Sequence, residues 1–279
     1  MNQHCQSIVQ HKRLSLHSAS LRFMLCLIPT MILGACSTVL LEVKGSPEAL
    51  KSPPRIALIE TVLGAPDLPV LPLLDAGMYK SKVRDIGGDI VATNNQKIGE
   101  FEQSVAQVLS KELGKQILYG AMLQALPAYQ NLPASGLKPY PLTLDNDVVV
   151  QAVVSPGTAN FFNFGSESHL RSFFNQTNPE IQQTMAKIAA GLEMDAVVVA
   201  VGTVVTTAVS AFGISGARMF ELQIYVFDKT GKMVLHGRST TEATSGDGDD
   251  IEHYTSQLNT FSREVNRLAP ALTGKAAPQ

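Results

Sequence analysis

Apolar residues along this chain follow two rhythms, and the alternation between them predicts the order of elements. Residues 55–60 (RIALIE) are a short, strongly apolar run bounded by Pro54 and by Gly64-Ala65-Pro66, which reads as a first buried strand. An irregular segment is expected from there to about residue 97. Residues 99–118 then place Phe101, Val105, Val108, Leu109, Leu113 and Ile117 at helical spacing, with Glu102, Lys111 and Lys115 between them, which predicts an amphipathic helix. Pro127, Pro133, Pro139 and Pro141 argue against regular structure between Leu126 and Leu142, and residues 147–154 (DVVVQAVV) return as a strand. Asn178-Pro179 opens a second helix with Ile181, Met185, Ile188, Ala189 and Leu192 as its buried stripe.

The C-terminal third is the most regular. Residues 195–209 form a β-branched run that is apolar on both faces, as a central strand requires. Residues 218–227 alternate, with Phe220, Leu222, Ile224 and Val226 on one side; Asp228 to Gly231 is a hairpin turn and residues 232–243 its return strand. A last helix is expected over residues 249–268, its face formed by Ile251, Tyr254, Leu258, Phe261, Val265 and Leu268, with Pro270 ending it. Strand, helix, strand, helix, strand, hairpin, helix predicts an α/β fold: a single sandwich domain over residues 55–268, built as a mixed sheet with helices packed mainly on one face. Residues 36–54, with Gly45, Pro47, Pro53 and Pro54, read as a tether, and residues 269–279 as a flexible tail.

The first 35 residues have a different character. Lys12, Arg13 and Arg22 occur without any Asp or Glu, an apolar run follows from Phe23 to Leu33, and Gly34 and Ala35 are small. That is the layout of a secretory signal peptide, and the apolar run, interrupted by Pro29, is too short for a membrane-spanning helix of about 20 residues. Leu33-Gly34-Ala35-Cys36 resembles the lipobox of bacterial lipoproteins, and the resemblance implies that Cys36 takes a lipid on its thiol and becomes the new N-terminus. An ordinary signal peptide with an incidental cysteine is the alternative. The other two cysteines, Cys5 and Cys26, lie in the leader, so the mature chain would have no free pair for a disulfide. Ser37 after the cysteine, where Asp would favour retention at the inner membrane, points by the same resemblance to the outer membrane, facing the periplasm.

Charge narrows the partners. Removing the leader takes away three cations and no acid, so the formal charge falls from −2 to −5. A chain of that balance lacks the Lys/Arg cluster that nucleic acid would demand.

Residues 55–60, "AAGLEMDAVVVAVGTV" and "ELQIYVFDKTGKMVLHGRSTTEA" together are similar to a group of periplasmic lipoproteins and domains that includes the curli-secretion lipoprotein, the amino-terminal domain of TolB and the lipoprotein activators of penicillin-binding proteins. Gly191, Asp195, Gly202, Asp228 and Gly231 match its outline. The resemblance implies a protein that binds other envelope proteins rather than an enzyme, with a homo-oligomer within its repertoire.

Candidate chemistry is sparse. His169, His236 and His253 show no metal-ligand spacing, the nucleophile elbow G-x-S-x-G is absent, and "FGISGA" does not open a helix that would hold phosphate. Asp247, Asp249 and Asp250 in "SGDGDD" lack the EF-hand order and read as a turn with an acidic helix cap. No cofactor is expected. Five phenylalanines, Phe161, Phe162, Phe164, Phe173 and Phe174, crowd one segment and are the candidate partner-contact patch, unless they fold back over the sheet. Residues 196–227, charged only at Arg218 and Glu221, read as sheet core, with a pore-forming hairpin as the alternative. The leading expectation is a non-enzymatic outer-membrane lipoprotein that docks an envelope protein. The alternative is an oligomeric secretion-channel subunit of the curli-channel type. An envelope hydrolase, third, would need some of Asp195, His169, His236 and Asp247 to converge.

Overall fold

The computed structural model describes residues 39–64, 76–132, 142–144, 147–150, 152–155, 179–209, 215–247 and 251–275. Leu33, Gly34, Ala35 and Cys36, the five phenylalanines of 161–174, His169, Asp249 and Asp250 lie outside them.

One mixed sheet organises the body. Its strands are β1 (Leu41–Gly45), β2 (Ile56–Gly64), β3 (Ile117–Leu118), β6 (Val153–Ser155), β7 (Ala196–Val209), β8 (Ser215–Asp228), β9 (Met233–Thr240) and β10 (Thr244–Asp247), in the order β1-β9-β8-β7-β2-β3, with β10 on β8 and β6 on β2. The β2–β7 and β2–β3 pairings are parallel, the others antiparallel. Two short strands, β4 (Leu142–Leu144) and β5 (Asp147–Val150), form a separate ribbon. The expected strand over 147–154 is thus two strands serving different sheets.

Central β7 is apolar on both faces because both are covered. Ala196, Val198, Ala200 and Val204 face one core cluster; Val197, Val199 and Val201 face another. On the first face lie α2 (Ala76–Leu113), α6 (Ile251–Leu258) and α7 (Phe261–Leu272), and on the second α3 (Gly120–Gln124), α4 (Pro127–Gln130) and α5 (Pro179–Gly191). A one-turn helix, α1 (Glu48–Lys51), buries Leu50 in the first cluster. The sandwich therefore carries its longest helix, α2, on the first face, and the stripe read for α5 is the one that packs on the second.

The structure differs from the sequence reading at both ends of the first long helix, in the last helix and at the two ends of the body. Helix α2 begins at Ala76, well before residue 99. Its stripe runs Ile86, Ile90, Asn94, Ile98, Phe101, Val105, Leu109, and Asn94 is fully buried, taking the Tyr254 hydroxyl at 2.8 Å. A polar residue in the core row hid the periodicity. At its other end Gly114, at φ +64°, stops the helix, and Ile117–Leu118 lies parallel to Ile56 and Ala57. The last helix is broken between Leu258 and Phe261, and Pro270 sits inside α7 rather than ending it. Leu272 and Thr273 are fully buried and Lys275 pairs with Glu112 at 2.9 Å, so residues 269–275 pack where a tail was expected. Likewise β1 and α1 fall within 36–54, the stretch read as a tether; the alternation of Leu41 and Val43 with Glu42 and Lys44 is only a few residues long before Gly45 and Pro47 interrupt it.

Candidate functional site

Strand β8 has a second row beneath its apolar one. Glu221, Gln223, Tyr225 and Phe227 alternate with Phe220, Leu222, Ile224 and Val226, and so point to the opposite face of the sheet. Tyr225 and Phe227 enter the cluster beneath α5. Glu221 and Gln223, farther along, are buried among polar neighbours instead.

Register supplies those neighbours. His236 of β9 stands opposite Tyr225 and Arg238 opposite Gln223, while on β1 Lys44 stands opposite His236 and Glu42 opposite Arg238. The Arg238 guanidinium donates to Glu221 Oε2 at 2.5 Å and Gln223 Nε2 donates to Glu221 Oε1 at 2.5 Å. Gln223 Oε1 accepts the Tyr225 hydroxyl and lies 3.1 Å from His236 Nε2. Because an amide oxygen only accepts, His236 carries its proton on Nε2, and Nδ1 is the site that titrates. Burial, with the Lys44 charge next in weight, lowers the imidazole to a pKa of about 4, so it is neutral at pH 7.

This band grades from core to solvent. The Glu221 side chain is fully buried, that of Arg238 29% exposed, and those of Glu42 and Lys44 38% and 68% exposed, the last two paired at 2.8 Å. The hydrogen bond from Lys44 holds the Glu42 carboxyl below its usual range. Every group in the band has its hydrogen-bond or ionic partner, which suits recognition by charge and shape rather than proton transfer.

Among the described residues, Asp195 and His236 of the hydrolase constellation do not converge. Asp195 accepts the Arg55 backbone N–H at 3.2 Å and pairs with its guanidinium at 3.6 Å. It lies four residues along β7 from Val199, which stands level with Tyr225, and β9 lies two strands over from β7. Those offsets put Asp195 and His236 well over 10 Å apart. His253 is elsewhere, on α6, against the Thr244 hydroxyl at 2.9 Å. Among the described residues no group of three or more His, Cys, Asp or Glu side chains could hold a metal ion, and no helix is long and apolar enough to cross a membrane. A shallow open hollow of about 520 Å³ beside Gly114 and Tyr119 holds Lys115, whose ammonium already donates to the carbonyls of Lys51 and Pro53.

Sequence reading identified the apolar row of β8 but not the use of the polar one. The signal was the same period of two; what it lacked was the register that sets Arg238 and His236 beside it.

No family model matches this chain, and no curated protein matches it. Among solved structures, the chain is similar to the PelC dodecamer from Paraburkholderia phytofirmans in two crystal forms. A point variant is 12% identical at a TM-score of 0.32, and a second form 11% identical at 0.28; each comparison covers 86% of this chain and 99% of the other.

Proposed function

We propose that this chain is a non-enzymatic outer-membrane lipoprotein, anchored through Cys36, whose periplasmic body binds an envelope protein. The observation that carries the reading is the Leu33-Gly34-Ala35-Cys36 sequence after a leader with three cations and no acid. Several acyl chains, each contributing about 0.8 kcal/mol per buried methylene, would hold such a chain firmly to a bilayer. Only residues 37–40 separate Cys36 from β1, a connection that spans at most about 17 Å when fully extended. Anchoring therefore holds the body close to the membrane and raises the local concentration of a partner in the same envelope. The paired, partly exposed charges of β1 and β9 and the phenylalanines of 161–174 are the proposed contact surfaces.

An oligomeric secretion-channel subunit is the alternative. Residues 196–205 are buried, and residues 196–201 pack into helix-bearing clusters on both sides of the sheet. Under that reading the chain contributes whole assembled bodies to a channel wall, not this part of β7 as a lipid-facing strand.

Crosslinking in intact cells followed by mass spectrometry, native protein against Cys36→Ser, tests the main reading. Loss of both membrane fractionation and crosslinked partners in the variant is expected; unchanged fractionation and partners contradict it. Detergent-resistant rings with conductance in planar bilayers would favour the alternative.

A further inference from the structure

Strand β1 carries one outer edge of the sheet. The Thr240 N–H donates to the Leu40 carbonyl at 2.9 Å, and the antiparallel ladder runs on from there without a register shift, Glu42 opposite Arg238 and Lys44 opposite His236. Alternation along such a ladder turns the backbone groups of Leu40, Glu42 and Lys44 toward β9 and those of Leu41 and Val43, with the Gly45 N–H, away from it; at Gly45, φ +106°, the chain leaves extended geometry. No described strand lies on that outer side. β1 has neither proline nor bulge, two of the devices that blunt a sheet edge.

Charge says what the edge accepts. Glu42 and Lys44 flank Val43 on one face of the strand, so the sequence Glu-Val-Lys reads as its own complement when reversed. We propose that β1 pairs antiparallel with β1 of a second copy of this chain, about a two-fold axis at Val43. In that register the outward N–H and carbonyl of Val43 meet those of Val43 of the second copy, and the Gly45 N–H of each copy meets the Leu41 carbonyl of the other. Glu42 and Lys44 then occupy the non-hydrogen-bonded positions, where facing side chains approach most closely, and each opposes the other's charge. The neighbouring registers that also match outward to outward groups are rejected by charge. A slip one way sets Glu42 against Glu42, and the other way Lys44 against Lys44. On the opposite face Leu41 and Val43, both half-buried against the core, meet Gly45 and Val43 of the second copy, which extends the apolar layer across the axis. The surface is thus isologous, a contact that closes at two copies.

Sedimentation equilibrium of the full chain in mild detergent tests this, run also on Cys36→Ser so that the result stands apart from the lipid. The wild-type chain is expected to form a dimer. Glu42→Lys and Lys44→Glu each turn both cross-strand pairs into like charges, and each weakens self-association by about thirtyfold. Mixing the two variants sets two lysines against two glutamates and restores a heterodimer, which misfolded chains would not do; the double swap restores the homodimer. A monomeric wild type at about 100 µM, single variants that dimerise as well as wild type, or a mixture that stays monomeric would each overturn the proposal.

Discussion

The His236 ring lies flat on the Tyr225 ring, their centroids 4.6 Å apart and their planes 10° from parallel. The stack and the bond to Gln223 hold an imidazole in a half-buried site where its cation is disfavoured. With the folded pKa near 4 and the unfolded one near 6.5, the unfolded chain binds the extra proton between those values. This contribution is complete above pH 6.5 and is lost as pH falls toward 4, by roughly 2 kcal/mol. Urea unfolding of wild type and His236→Phe across pH 4–7 checks it: the variant, which keeps the stack, has the flatter acid limb. Parallel limbs would show that His236 is not the group responsible.

Glu102 has the opposite sign. Burial raises its carboxyl above the usual range, against the bonds from the Ser155 hydroxyl at 3.0 Å and the Gly120 N–H. The folded state holds the proton to higher pH than the unfolded chain, so stability declines as pH rises through that window. Glu102→Gln removes the desolvated charge and is expected to raise Tm at pH 7, with the gain vanishing in acid. A lower Tm at pH 7 would show that the carboxylate is held by its partners more strongly than burial opposes it.

Removing one end of the buried pair is the more costly change. Arg238→Ala takes the Arg238 guanidinium away from the fully buried Glu221 carboxylate, while Gln223 still donates to it. A loss of about 3 kcal/mol is expected by chemical denaturation, with Arg238→Ala/Glu221→Gln recovering part of it.

Two glycines of the sequence outline have measurable reasons. A Cβ on Gly202 would lie 2.8 Å from Phe220 Cζ and 3.1 Å from both Leu63 and Phe101 side chains, at the centre of the first core cluster. Gly231, at φ +77° in the β8–β9 turn, would bring a Cβ within 1.9 Å of the Gln182 carbonyl on α5. Gly202→Ala is expected to cost about 1–3 kcal/mol by overpacking. Gly231→Ala, meeting backbone in a left-handed conformation, should cost more, and the order of the two melting temperatures checks the argument.

Strand and turn patterns were legible where one residue type repeats with one role: the two-sided run of β7, the alternation of β8, and Asp228, whose Oδ1 accepts from the Thr230 N–H and hydroxyl at 2.8 and 2.6 Å. Helix α2 was half legible because Asn94 holds a core position through the Tyr254 hydroxyl, a contact 160 residues away that no local pattern encodes. The polar band was invisible for a related reason: Glu221, Gln223, His236 and Arg238 are ordinary surface residues until a pairing register places them together. The proposal for Cys36 rests on sequence alone, because a lipobox is itself a linear motif.

Intact-mass analysis of the protein extracted from membranes in detergent tests the anchoring claim most directly. The account predicts a polypeptide beginning at Cys36 with added acyl mass, and in Cys36→Ser no such species. A soluble chain that retains residues 1–35 and carries no acyl group would contradict it.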